Sequence, residues 1–496
     1  MGIHKFRLPP PEVTTPPPDV RKGFIAGLDR MPARTLVELR PGLLLCHRDI
    51  PDSGKLHIPW PVAGQGMPMI STATLSERAL PYDLLLELAR GKLNDLRNQL
   101  ADWKTHLLLQ GSNDLDAKLR EAQRLFARAA TNQDDLLECS RSAQSSLNLA
   151  FEAADLGSMA YIERLMQLRK QHNPKLPTLL GCVLEDDPSK ASWSQGVAEA
   201  CNSVRLPMSW RDIAPAEGSY RWENTDAQLA WCRRKGLAVS AGPLVEFRST
   251  AVPDWLSLFL GNGQGLLSVV LDWVEAAVNR YRGKISVWHV VSRVGTPRAL
   301  GLSEDDQIQV AARILQACRR FDPNAQFVVD FDRPWAEWLG STQTTHQLGP
   351  LHLGDYLARA ELGMSGVGLE IAPGYSAPGS HMRDLLEFSR LLDLYALLNM
   401  PLHLTMAVPS TAAADPHGAS VQASQWPRPI DPTFQRDWAA RWIALAVSKP
   451  YVRSITWSRL TDKGSQGYPG AGLFNSNGAA KPIVSWLKNF RSEHLA

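Results

Sequence analysis

Eight short apolar runs separated by amphipathic segments are the feature that most narrows the fold of this chain. They are Thr178 to Leu184, Ser203 to Met208, Ala238 to Val245, Ile285 to Val291, Gln326 to Phe331, Gly366 to Ile371, Pro401 to Val408 and Ser454 to Trp457. Their near-continuous apolar, β-branched character is that of strands buried on both faces. Between them lie segments with helical spacing, among them Ala227 to Lys235, Leu267 to Tyr281, Asp305 to Arg320 and Gln435 to Ser448. Regular strand–helix alternation calls for a parallel sheet, and eight repeats is the count of a (β/α)8 barrel. An open doubly wound sheet is the alternative, but no G-x-G-x-x-G follows the first run. The fold class expected is α/β, a (β/α)8 TIM barrel over residues 175–496.

Residues 1–174 follow other patterns. A Pro-rich tail spans 1–20, with P-P-P-E-V-T-T-P-P-P from Pro9 to Pro18 read as an extended tether. Residues 21–80 alternate short apolar runs with turn signals such as Pro41-Gly42 and Asp52-Ser53-Gly54, as a small antiparallel β-module of about five strands does. Residues 81–174 read as a helical hairpin or small bundle, one pattern running from Leu84 to Leu107 and another from Asp134 to Lys170. Its apolar stripes are expected against the barrel and the β-module. A protein partner is expected, if anywhere, through this N-terminal part.

Composition bounds the function. The 53 basic and 50 acidic residues leave a formal net charge of +3, which gives no electrostatic case for nucleic acid. The six cysteines are scattered without C-x-x-C, so no metal site and no disulfide framework is expected. No cofactor motif occurs. No apolar run is long enough to span a membrane and the N-terminus has no secretory core, so a cytoplasmic location is expected, without membrane contact.

In a barrel the chemistry belongs at the carboxyl edge of the sheet. The fourth run ends there in Trp288-His-Val-Val-Ser-Arg293. That stretch, Trp210 to Asp226 (W-R-D-I-A-P-A-E-G-S-Y-R-W-E-N-T-D), Phe321-Asp-Pro-Asn-Ala, Gly366-Val-Gly-Leu-Glu370, Ile455-Thr-Trp457 and Gly472-Leu-Phe474 stand in one order along residues 176 to 490. Together they resemble glycoside hydrolase family 10, the xylanase family. The resemblance implies a barrel, a glycan ligand and hydrolysis of O-glycosidic bonds by two glutamates.

The two catalytic positions of that family are filled otherwise here. The resemblance aligns Arg293 with the family's acid/base Glu, and Met406, in Thr405-Met-Ala-Val408, with its nucleophile. Retaining hydrolysis needs two carboxyl groups about 5–5.5 Å apart, and neither side chain supplies one. Familial xylanase chemistry is therefore expected to be impaired.

Other acids close the neighbouring strands: Glu246 after the third, Asp330 and Asp332 at the fifth, Glu370 at the sixth. Glu370, Asp332 and Glu246 are the candidates for a relocated acid/base pair. Equally, they and Arg293 are the makings of an ion-pair network across the mouth, with Glu246 and Arg293 side by side on adjacent strands. His289 and Asp330 are candidate ligand-binding residues. Among the 16 tryptophans, Trp335, Trp426 and Trp457 fall in barrel loops or at strand ends, where aromatic rings stack on sugars. Three functions stand open: a non-catalytic barrel binding a glycan or partner, a glycoside hydrolase with relocated carboxylates, and an intracellular scaffold.

Overall fold

The computed structural model describes residues 2–27, 29–107, 109, 111–248, 250–259, 263–296, 299–343, 348–464 and 467–496. Its N-terminal part is two four-stranded sheets built from β1 (Gly2–Arg7), β2 (Phe24–Ala26), β3 (Pro32–Ala33), β4 (Thr35–Arg40), β5 (Leu43–Arg48), β6 (Lys55–Pro59), β7 (Met69–Ser71) and β8 (Tyr82–Asp83). The strand orders are β4-β5-β1-β8 and β3-β2-β6-β7. The tail expected over residues 1–20 is corrected at its start. Gly2 to Arg7 alternates buried and half-buried side chains and pairs antiparallel with β5 along its whole length, leaving the proline run as a connection between two sheets. The prolines obscured an alternating strand signal beside them.

Three helices follow: α1 (Leu84–Leu107), α2 (Asn113–Thr131) and α3 (Leu136–His172). Ser112 caps α2 by accepting from the Leu115 amide, so a further helix opens between the two patterns read from the sequence, and the segment is the small bundle of the two forms expected. Trp60, fully buried, reaches from the β-module to α3, its indole N–H 3.0 Å from Gln144 Oε1.

The barrel strands are β9 (Leu179–Val183), β10 (Ser203–Leu206), β11 (Ala238–Ala241), β12 (Val245–Glu246), β13 (Val287–Ser292), β14 (Gln326–Phe331), β15 (Gly366–Ile371), β16 (Leu402–Met406) and β17 (Val452–Trp457). All pair in parallel, and the ring closes through β17 on β9. It is a closed barrel of eight strands in which β11 and β12 are two pieces of the third. Around it lie α4 (Ser194–Ala200), α5 (Trp210–Ile213), α6 (Glu223–Lys235), α7 (Gly263–Tyr281), α8 (Glu304–Phe321), α9 (Pro350–Arg359), α10 (Leu385–Ala396), α11 (Pro432–Ser448) and α12 (Pro482–His494).

The N-terminal part is joined to the barrel at the loops that follow β14, β15 and β16. The Met67 amide donates to the Gln425 carbonyl at 2.9 Å and the Met69 amide to that of Met382 at 2.9 Å. Lys92 on α1 forms a buried ion pair with Asp384, the N-cap of α10. On the outer face Asp155 of α3 takes Arg441 of α11 at 2.8 Å. The β-module and helices therefore roof one side of the barrel's carboxyl end. Among the described residues no helix is long and apolar enough to cross a membrane, and all six cysteines are buried and unpaired.

Candidate functional site

The carboxyl edge brings together the side chains that each strand end presents. Because β12 pairs with β13 in the register Glu246↔Ser292, Glu246 stands beside the residue that follows Ser292. That residue, Arg293, takes a left-handed backbone, φ 59°, which a bulky L-residue adopts only where its surroundings hold it. Its guanidinium is held by three carboxylates: Nε lies 3.0 Å from Glu246, Nη1 3.2 Å from Asp332, and Nη2 2.9 Å from Glu370.

The acids have further partners. Arg248 reaches Glu246 at 2.9 Å and Arg333 reaches Asp332 at 3.2 Å. The Tyr468 hydroxyl donates to Glu370. Burial pushes the Glu370 carboxyl above its usual range, and the neighbouring Asp332 and Glu246 add to that despite Arg293. Burial alone would lower the Arg293 guanidinium; the surrounding Glu370 and Asp332 charges more than reverse this and keep it protonated. The three acid candidates are thus one network with the Arg as its hub.

Below this network the barrel interior is polar. Asp330 on β14 faces His289 on β13, whose Nδ1 lies 2.8 Å from Oδ1. A side chain on Gly368 of β15 would fall on that same oxygen, so the glycine makes the room in which Asp330 sits. Burial would raise Asp330, but His289 and Arg205 hold its carboxyl below the ordinary value. Burial and Arg205 lower His289 in turn, so the pair is a carboxylate and a neutral imidazole. His403 stands edge-on to His289, ring centroids 5.8 Å apart, with Nδ1 2.9 Å from Ser454 Oγ.

Met406, at the family's nucleophile position, ends β16 fully buried in the barrel core. The tryptophans do not form a platform at the mouth. Trp426 is packed edge-on against Phe434 and Trp438, and Trp457 is buried with its N–H 2.6 Å from the Ala471 carbonyl. Trp335 lies under the Arg383 guanidinium, 4.4 Å from its ring centroid, beside the crevice between β-module and barrel. The roof formed by the N-terminal part accounts for Trp335 and Trp426, since the loops carrying them became interface.

A cavity of about 410 Å³ opens at the mouth, lined among others by Arg205, Trp210, Glu246, Arg293, Ser458 and Tyr468. Three of its features escaped sequence reasoning. Arg205 sits inside an apolar strand, S-V-R-L, and a charge in such a run is the signal that was available. Trp210 was read only as part of a motif. Tyr468 lies in a loop with no periodicity to place it. Among the described residues no group of three or more His, Cys, Asp or Glu side chains is arranged to hold a metal ion.

Residues 178–306 match the family model of glycosyl hydrolase family 10. An endo-1,4-beta-xylanase of Agaricus bisporus is 24% identical over 208 residues, 40% of this chain and 60% of that protein. Endo-1,4-beta-xylanase A of Fusarium oxysporum f. sp. lycopersici is 32% identical over 85 residues, 17% of this chain and 25% of the relative. The chain thus spans 60% or less of the length of these two relatives. The crystal structure of native xylanase 10B from Thermotoga maritima aligns at 17% identity with a TM-score of 0.48, covering 66% of this chain and 97% of that one.

Proposed function

We propose, for a chain whose barrel is of the glycosyl hydrolase family 10 kind, that the mouth is a ligand-binding cavity for a glycan and that the family's hydrolysis is lost or severely impaired. The observation that carries this reading is Arg293. It occupies the place the resemblance gives to the acid/base, can neither give nor take a proton at neutral pH, and binds Glu246, Asp332 and Glu370 at once.

A hydrolase with relocated carboxylates has one observation in its favour. The Glu370 carboxyl, raised by burial, has the character of a general acid. Against it, both Glu370 oxygens accept from Arg293 Nη2, at 2.9 and 3.1 Å, and the Tyr468 hydroxyl adds a third bond. A group so engaged is committed to holding the site together.

The test pairs two assays on the full chain: calorimetric binding of xylo-oligosaccharides and other plant glycan fragments, and hydrolysis of aryl glycosides and plant polysaccharides. Binding without turnover is the expected result. Turnover well above a buffer blank would reject the reading.

A further inference from the structure

The unsatisfied groups around the mouth cavity are unequal in kind. Its carboxylates are engaged: Glu246 with Arg293 and Arg248, Glu370 with Arg293 and Tyr468, Asp330 with His289. Its donors are not. Arg205, only 4% exposed, uses Nη1 on Thr405 Oγ1 at 2.9 Å, while its Nε and Nη2 have no partner among the described residues. The indole N–H of Trp210, 2% exposed, and the hydroxyl of Ser458 are also without partners. Two of these three residues can only donate. Buried donors left unmet are costly, so the group that completes the cavity must bring acceptors.

The shape limits that group further. On the side of the loops after β15 and β16 the mouth is filled by Tyr375 and Tyr468, ring centroids 5.0 Å apart, packed with Ala372, Ala407, Ala419 and Ala471. Tyr375 is fixed there by donating to the Pro469 carbonyl at 2.9 Å. What remains is a recess of about 410 Å³ bounded by β10, α5 and the segment after β17. That volume falls in the range of small-molecule sites, about 300–1,000 Å³. It suits one end unit and does not suit the middle of a polymer.

We propose that the recess binds a sugar acid, a terminal or free hexuronate whose carboxylate pairs with Arg205 and whose ring and hydroxyl oxygens accept from Trp210 and Ser458. Arg205 is the one arginine in the lining without a carboxylate at salt-bridge distance among the described residues, and its two unmet nitrogens, Nε and Nη2, form the planar fork that a carboxylate matches. The donors come from three separate elements, so a bare anion on Arg205 leaves the other two unmet, whereas a ring with several oxygens offers an acceptor for each. The inference rests on the reading of the mouth as a ligand site and specifies what that site takes.

The experiment is isothermal titration of the full chain with D-glucuronate and D-galacturonate, beside D-glucuronamide, D-xylose and acetate. At least one hexuronate is expected to bind about tenfold or more tightly than the amide, xylose and acetate, the size of a charge-assisted hydrogen-bond pair. Arg205→Gln is expected to remove that preference, and Ser458→Ala, a milder change at the rim, to weaken all sugars together. The comparison of acid with amide uses the unaltered protein, so it stands even if Arg205→Gln fails to fold. Equal binding of glucuronate and glucuronamide, or of glucuronate and acetate, overturns the proposal. Tight binding of neutral sugars alone would overturn it while leaving the ligand-binding reading intact. Binding of no sugar would remove both.

Discussion

Nη2 of Arg293 lies 2.9 and 3.1 Å from the two carboxylate oxygens of Glu370, across a barrel mouth in which both side chains are largely buried. The same guanidinium meets Glu246 and Asp332, so one cation bridges three acids. Removing it leaves like charges facing one another in a medium that screens them poorly. Arg293→Met is therefore expected to cost about 3–5 kcal/mol in chemical denaturation, the range for a broken buried pair. Glu246→Gln should cost less, and combining the two should give a coupling energy of about 1–3 kcal/mol. Zero coupling would mean that Glu246 is held by Arg248 and not by the hub.

Reinstating the family's acids should fail. Arg293→Glu with Met406→Glu would set a fourth carboxylate among Glu246, Asp332 and Glu370 and bury another where Met406 is wholly enclosed. Catalytic carboxylates depend on groups that hold them in place and set their pKa, and those around Arg293 are arranged for a cation. Xylan turnover by the double variant is expected to stay at the level of the parent, with a lower unfolding midpoint. Turnover well above the parent would show an intact familial pocket.

Stability should fall in mild acid. Burial lowers His403 to about 3 and His57 to about 4, against 6.5 for a free imidazole. Below pH 6.5 the unfolded chain takes up protons that the folded chain refuses, so stability declines as pH drops from about 6.5 until the folded values are passed. His403 alone gives a slope of up to about 1.4 kcal/mol per pH unit. Asp330, held low by His289 and Arg205 against burial, acts in the same sense, its contribution present above 3.8 and lost in acid. Glu370, raised by burial, opposes them, since the folded state binds its proton first. Urea midpoints at pH 7, 6 and 5 should decrease in that order, and His403→Gln should flatten the trend. A midpoint unchanged across this range would contradict the buried neutral imidazoles.

The docking of the β-module rests on close backbone approach. Gly66, at φ 75°, lies so near the Gln425 carbonyl that an added methyl would fall on its oxygen. Gly66→Ala is expected to loosen the module from the barrel, through both strain and clash. Limited proteolysis should then cut between the module and the barrel earlier than in the parent. An unchanged digestion pattern would show that the Lys92–Asp384 pair and the helices hold the parts together without this contact.

Periodicity made the barrel legible, because strands buried on both faces must be apolar along their length, and the strand order then placed Glu246 beside Arg293. Geometry across the mouth was not legible in the same way. The three-way grip on Arg293 depends on its left-handed turn, which no residue type announces; the acids and Arg293 read as a network, but strand order tied only Glu246 to it directly. The tryptophans misled because exposure is a tertiary property. Trp426 looks like a loop aromatic until the Met67 and Gly66 segment is laid against it. Gly2 to Arg7 was passed over because six residues carry a weak alternation and ten neighbouring ones carry a strong proline signal.

The central claim is that this mouth binds a ligand and that its acids do not hydrolyse. The measurement that bears on it most directly is the rate of 4-nitrophenol release from aryl β-xylosides and β-xylobiosides by the purified full chain, run beside Glu370→Gln and Asp332→Asn at matched concentration. The account predicts release indistinguishable from buffer for all three proteins. Release by the parent that disappears in either variant would contradict it and make that carboxylate catalytic.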